Sequence, residues 1–149
     1  MDAPGRSQPA CPLCAGDAGE SVWRDDALRV VLPDEADYPG FTRVIWHAHV
    51  AEMTDLAPAE RVRLMGVVFC VERVQREVLV PDKVNLASFG NVVPHLHWHV
   101  IPRWHDDRHF PQPVWAAAPA GRDEAAAARR RRVEAMLAQY RAALVAELD

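Results

Sequence analysis

Three histidines at alternate positions, His95, His97 and His99, are the residues of this chain whose type and spacing point most directly to chemistry. In an extended strand successive side chains point to opposite faces, so three imidazoles two residues apart form one row, with Leu96, Trp98 and Val100 behind it. Each imidazole carries a donor and an acceptor that need partners when buried, so such a row costs the fold something and implies a use. A neutral imidazole is a good nucleophile near neutral pH, and a neighbour two residues along can assist as acid or base. Alternate histidines on a strand also suit a metal, so a metal-dependent hydrolase is a second reading of the same residues.

A second set of candidates lies near the start of the chain. Cys11-Pro12-Leu13-Cys14, followed by Ala15-Gly16, has the form of a metal knuckle, in which a tight turn lets two thiolates converge on one zinc. A redox dithiol and two unremarkable thiols are the other readings of that pair. His47 and His49 close a strand-like run, where either could be an ordinary polar residue. The third cysteine, Cys70, falls inside a helical pattern and packs there as a small hydrophobe, so three cysteines make no disulfide framework. That usage implies a reducing, cytoplasmic compartment.

The segment His95-Leu96-His97-Trp98-His99-Val100-Ile101 resembles the H-φ-H-φ-H-φ-φ signature of the histidine triad family of nucleotide hydrolases and transferases. The likeness extends to Val84-Asn85-Leu86, Gly90-Asn91, Pro102-Arg103 and Trp46 to Leu56, and covers roughly residues 11 to 104. It is nearest to the bacterial diadenosine polyphosphate hydrolase-like branch. By matching position the resemblance implies that His97 attacks the α-phosphorus of a nucleotide to give a nucleotidyl-histidine that water hydrolyses. His99 would contact the phosphate and help protonate the leaving group, and His95 would orient the cluster. Asn85 and the backbone around Asn91, Val92 and Val93 would hold phosphate oxygens. In members with a Cys-x-x-Cys, the histidine matching His49 completes a zinc site, giving Cys11, Cys14, His49 and His95 as a structural set. Phe41 stands where several relatives carry a histidine near the base or ribose. The resemblance further implies a nucleotide substrate, a homodimer and no organic cofactor. A diadenosine polyphosphate is the first expected substrate and a nucleoside phosphoramidate the second. A nucleotide-binding regulator is a further alternative.

Elements that could position these groups follow from the pattern. Residues 1–10 are small, polar and proline-containing and are expected to form a flexible tail ahead of a single domain over 11–149. Strand-like runs cover Glu20 to Arg24, Ala27 to Leu32 and Thr42 to His47, predicting an antiparallel meander. Thr54-Asp55 offers an N-cap and Pro58 suits a first helical turn. Ala59 to Leu79 then reads as one long helix, with Val62, Met65, Phe69, Val71, Val74 and Val78 as its apolar face. Pro81-Asp82 stops it. Val84 to Ser88 reads as a strand that turns at Phe89-Gly90-Asn91 and returns as the histidine strand.

After Arg103 the proline-interrupted run WHDDRHFPQPVW is an ordered loop, because Trp104, Phe110 and Trp115 would be wasted in a mobile one; it packs against a partner or arches over a site. From Arg122 a C-terminal helix carries Val133, Met136, Leu137, Tyr140, Leu144 and Leu148 on one stripe, and Arg129 to Arg132 reads as a solvated face. The expected fold is α+β: an antiparallel sheet of about five strands, one long packed helix and a C-terminal helix. With 149 residues, half of them hydrophobic, the chain can bury a core without staples. A net charge of −4 and a pI near 5.9 argue against a general nucleic-acid binder, and no apolar run is long enough to span a membrane.

Overall fold

The computed structural model describes residues 5–149, so the first four residues of the expected tail lie outside the described part. Midway along that tail, the Gly5 amide donates to the His49 carbonyl at 3.0 Å.

Runs rich in β-branched residues build the sheet. Strands β1 (Glu20–Arg24), β2 (Leu28–Leu32) and β3 (Thr42–Trp46) form the expected meander. Strands β4 (Lys83–Ala87) and β5 (His97–Arg103) complete it in the order β1-β2-β3-β5-β4, every neighbouring pair antiparallel. The histidine strand is therefore internal, paired with β3 on one side and β4 on the other, while β4 forms an edge. Every residue of β2 is buried, so both faces of the sheet are covered at that point.

Alternation sorts the side chains. Leu28, Val30, Leu32, Val44, Trp46 and Val100 face a core closed by helix α2 (Pro58–Val74) and helix α4 (Leu137–Leu148). Arg29, Val31, Arg43, Ile45, His97 and His99 fall on the opposite face, as the pairings Arg29 with Ile45, Arg43 with His99 and Ile45 with His97 require.

The long helix reaches Leu79 as expected, α2 ending at Val74 and continuing as one π-helical stretch, Gln75–Leu79. There the buried Gln75 amide donates to the carbonyls of Gly40 (3.1 Å) and Val100 (2.9 Å), tying helix to sheet. Three local expectations are corrected. The N-cap of α2 is Ala57, since Thr54 and Asp55 belong to a preceding 3-10 turn. Its buried face is Leu64, Val68, Val71 and Val74; Val62 and Phe69 are 74% and 55% exposed. At about 100° per residue, Val62 and Phe69 lie roughly 140–160° from the Leu64 direction, on the far side of the helix. The C-terminal helix is two helices, α3 (Asp123–Glu134) and α4, and of the expected stripe Val133, Tyr140 and Leu144 are fully buried. The Tyr140 hydroxyl meets the Thr42 hydroxyl at 2.7 Å, fastening α4 to β3.

Candidate active site and metal centre

The hairpin leading to the histidines is wider than a tight turn. Strand β4 ends at Ala87 and β5 begins only at His97. The intervening segment instead folds onto the chain after β3: the Leu96 amide donates to Val50 O (2.7 Å) and the Trp46 amide to Leu96 O (3.1 Å). His95 is thereby taken out of the strand, so the expected row of three imidazoles is a pair, His97 and His99, with His95 turned to another task.

That task is set by its two ring nitrogens. Nε2 lies 2.6 Å from the Trp46 carbonyl, which can only accept, so Nε2 carries the proton and Nδ1 keeps its lone pair. Nδ1 lies 3.5 Å from Cys11 Sγ, 3.4 Å from Cys14 Sγ and 3.2 Å from His49 Nδ1, and Cys14 Sγ is 3.3 Å from His49 Nδ1. A tetrahedral zinc with Zn–S near 2.3 Å and Zn–N near 2.0–2.1 Å spaces its donors about 3.3–3.8 Å apart, so two thiolates and two imidazoles stand where such an ion needs them. Cys11, Cys14, His49 and His95, all four of the expected set, fit a structural zinc. His47 takes no part, its Nδ1 lying 3.4 Å from Asp26 O. The knuckle is the four-residue helix α1 (Pro12–Ala15), and the buried Arg29 holds it by donating to the carbonyls of Leu13 (2.7 Å) and Gly16 (3.0 Å).

The histidine pair faces a cleft of about 490 Å³ lined by His97, His99, Arg43, Trp115 and the segment Phe89 to Val93. His97 Nδ1 donates to the His95 carbonyl, which fixes the tautomer and leaves Nε2 with a free lone pair. Burial, and then the Arg43 charge, push its pKa below the ordinary histidine value. His99 is held among aromatic rings, with centroids 5.5 Å from Phe41, 5.2 Å from Trp115 and 4.9 Å from His97. Burial, assisted by His97 and Arg43, lowers its pKa to about 3, so it is neutral at pH 7. Its Nδ1 is buried with no hydrogen-bond partner among the described residues.

Asn91, Val92 and Val93 line the same cleft. Asn85 shares the histidine face but stands opposite Ile101, its Oδ1 accepting from Arg103 at 2.9 Å. Arg103 belongs to a buried knot. It donates to both oxygens of Asp107 (2.7 and 3.1 Å) and to Gln112 O (2.8 Å), and Asp107 also accepts from the amides of Trp104, His109 and Phe110. This knot anchors the loop after β5 and carries Trp115 over the site, edge-to-face with Phe89 at 4.8 Å. Arg29, Arg43 and the Arg103–Asp107 pair escaped the sequence reading. The available signal was an arginine inside each apolar run, LRVVL and TRVIW, where alternation puts it on the inward chemical face.

A five-stranded antiparallel sheet with a histidine pair on an internal strand and a Cys2His2 cluster at its end defines a histidine-triad class of α+β domain. Comparison with known proteins agrees. The model of the HIT domain matches residues 18–106, and the chain belongs to that family. It is 30% identical over 105 residues to an AP-4-A phosphorylase of Mycobacterium tuberculosis, the match covering 66% of this chain and 54% of the relative. The chain thus spans about half the length of the curated relatives it matches. Among solved structures it is similar to a histidine triad protein from Bradyrhizobium japonicum (TM-score 0.63, 25% identity, 80% of this chain and 91% of that one). It is also similar to a Zn-bound histidine triad family protein from Mycobacterium smegmatis (TM-score 0.54, 26% identity, 87% and 97%).

Proposed function

We propose that this protein is a nucleotide hydrolase that acts at the α-phosphorus through a covalent intermediate on His97, with dinucleoside polyphosphates as substrates. The observation that carries the reading is the His97 ring: its Nδ1–H is spent on the His95 carbonyl, so Nε2 meets the cleft as an unprotonated nucleophile at neutral pH. In the first step Nε2 forms a bond to phosphorus while the bond to the leaving phosphate breaks. Water then attacks the same phosphorus, the P–N bond breaks, and the nucleoside monophosphate departs. His99 stands beside the nucleophile to contact the phosphate, and amides of Asn91 to Val93 supply donors to its oxygens. Asn85 remains a candidate for a leaving-group oxygen once substrate competes for its amide.

Two observations favour an anhydride over a phosphoramidate. His99 is held neutral, which suits a leaving phosphate that needs no proton at pH 7 better than an amine that does. The curated relatives, moreover, are phosphorylases of AP-4-A by name. A metal-dependent hydrolysis built on the triad draws no support from the donors, because the four that converge include His95 but neither His97 nor His99. Zinc held by Cys11, Cys14, His49 and His95, four protein ligands with no open position, would brace the fold.

The reading extends to the molecule's setting. Two chains would pair into a homodimer, for which the open edge of β4 offers a surface. Cys11, Cys14 and Cys70, none of them in a disulfide, support a reducing, cytoplasmic compartment, and no described helix is long and apolar enough to cross a membrane. Rates on a panel of dinucleoside polyphosphates and nucleoside phosphoramidates test the function. Turnover of neither would sink it, and faster turnover of the phosphoramidates would transfer it to the second class.

A further inference from the structure

Arg43 sits on β3 directly opposite His99 and lines the cleft together with His97, His99 and Trp115. Its Nε is buried without a hydrogen-bond partner among the described residues. The ion pair it makes there, to Glu35, is long at 3.8 Å, and its guanidinium otherwise rests over the Phe41 ring at 5.9 Å from the centroid. A partly buried arginine, its side chain 25% exposed, with a buried unmet Nε–H and one loose counter-charge has donors left for an anion in the cleft. It is also the one formally charged side chain among the described residues lining the cleft.

We propose that Arg43 is a specificity-determining residue: its guanidinium holds the anionic oxygens of the leaving phosphate chain, and so selects nucleoside polyphosphates over nucleoside phosphoramidates. This rests on the reading of His97 as nucleophile. As the Nε2–P bond forms, the electron pair of the breaking P–O bond goes to the leaving oxygen, and Arg43 meets the charge that collects there. In a phosphoramidate the breaking bond is P–N, the amine departs with a proton, and no anion forms for Arg43 to hold.

The test compares kcat/KM for diadenosine tetraphosphate and for adenosine 5′-phosphoramidate in the parent full chain, Arg43→Met and Arg43→Lys. Arg43→Met is expected to lose about 10²-fold on the tetraphosphate and less than about threefold on the phosphoramidate, since only the first loses a charged donor to its leaving group. Arg43→Lys, with a point charge in place of a planar fork, should fall between. Circular dichroism shows which variants are native, and if Arg43→Met does not fold the comparison is read on Arg43→Lys. Equal losses on both substrates, above all with a shifted pH profile, would mean that Arg43 acts through the histidines or the fold and would overturn the proposal, as would no loss on the tetraphosphate. A parent that hydrolyses neither substrate fails earlier, at the nucleophile reading, and takes this proposal with it.

Discussion

Each of three imidazoles spaced alike in sequence ends in a different electrostatic setting, and the difference is set by what each ring nitrogen touches. His95 donates its ring N–H to Trp46 O and turns a lone pair to the thiols; His97 donates its ring N–H to His95 O and turns a lone pair to the cleft. His99 has neither arrangement and is kept neutral by burial, with a pKa of about 3. Because an unfolded histidine takes up a proton below about pH 6.5 and the folded His99 does not until far lower, the unfolded state binds more protons in that window. Stability is therefore predicted to fall as pH drops from about 6.5 toward 3, with His99 alone responsible for on the order of 2 kcal/mol between pH 7 and pH 5. Urea midpoints of the parent and His99→Gln at the two pH values measure it; an identical pH dependence in both proteins would contradict it. The alternation that placed His97 and His99 on one face was legible because period two is a backbone property. The departure of His95 was not, because it depends on the Leu96 amide finding Val50 O, a contact between segments far apart in sequence.

At the scale of elements, the site hangs on two staples, one apart from the histidine strand and one at its C-terminal end. The knuckle Cys11 to Cys14 is a single turn whose carbonyls Arg29 fixes, and its thiols close a four-donor set. Protein purified without chelator is expected to carry about one zinc per chain, and Cys14→Ser to lose most of it along with several degrees of thermal stability, because metal binding free energy is folding free energy at such a site. Metal analysis that finds none in the parent, with both thiols freely alkylated, would remove the centre. The second staple is the Arg103–Asp107 pair, with side chains 2% and 3% exposed. Removing one partner strands a buried charge, so Asp107→Ala should cost about 3–5 kcal/mol in denaturant unfolding. A loss below about 1 kcal/mol would show the pair to be dispensable, as exposed pairs are. The loop it anchors was readable as ordered from its three large aromatic residues. The apolar face of α2 was readable only in part: Val71 and Val74 are buried as expected, but Val62 and Phe69 repeat at seven residues as convincingly as Leu64 and Val71, and only the docked sheet chooses between the stripes.

For the whole molecule, covering both faces of the central strands is what turns a sheet into a site. One face is sealed by α2 and α4; the other is closed by the knuckle at one end and the Trp115 loop at the other, leaving a cleft between them over His97 and His99. The five-strand α+β architecture could be read from the alternating runs and turn signals, and alternation within TRVIW held a signal for the face of Arg43, whereas its place opposite His99 emerges only when β3 is paired with β5. The proposed chemistry rests on His97. Brief incubation with an α-labelled dinucleoside polyphosphate, quenched without acid, is predicted to leave label on His97 of the parent. His97→Ala, folded and still binding nucleotide, is predicted to show no adduct and at least about a thousandfold loss of turnover, since positioning alone cannot replace a covalent catalyst. Turnover that proceeds with no label on His97, and that vanishes with chelator and returns with added metal, would contradict the account.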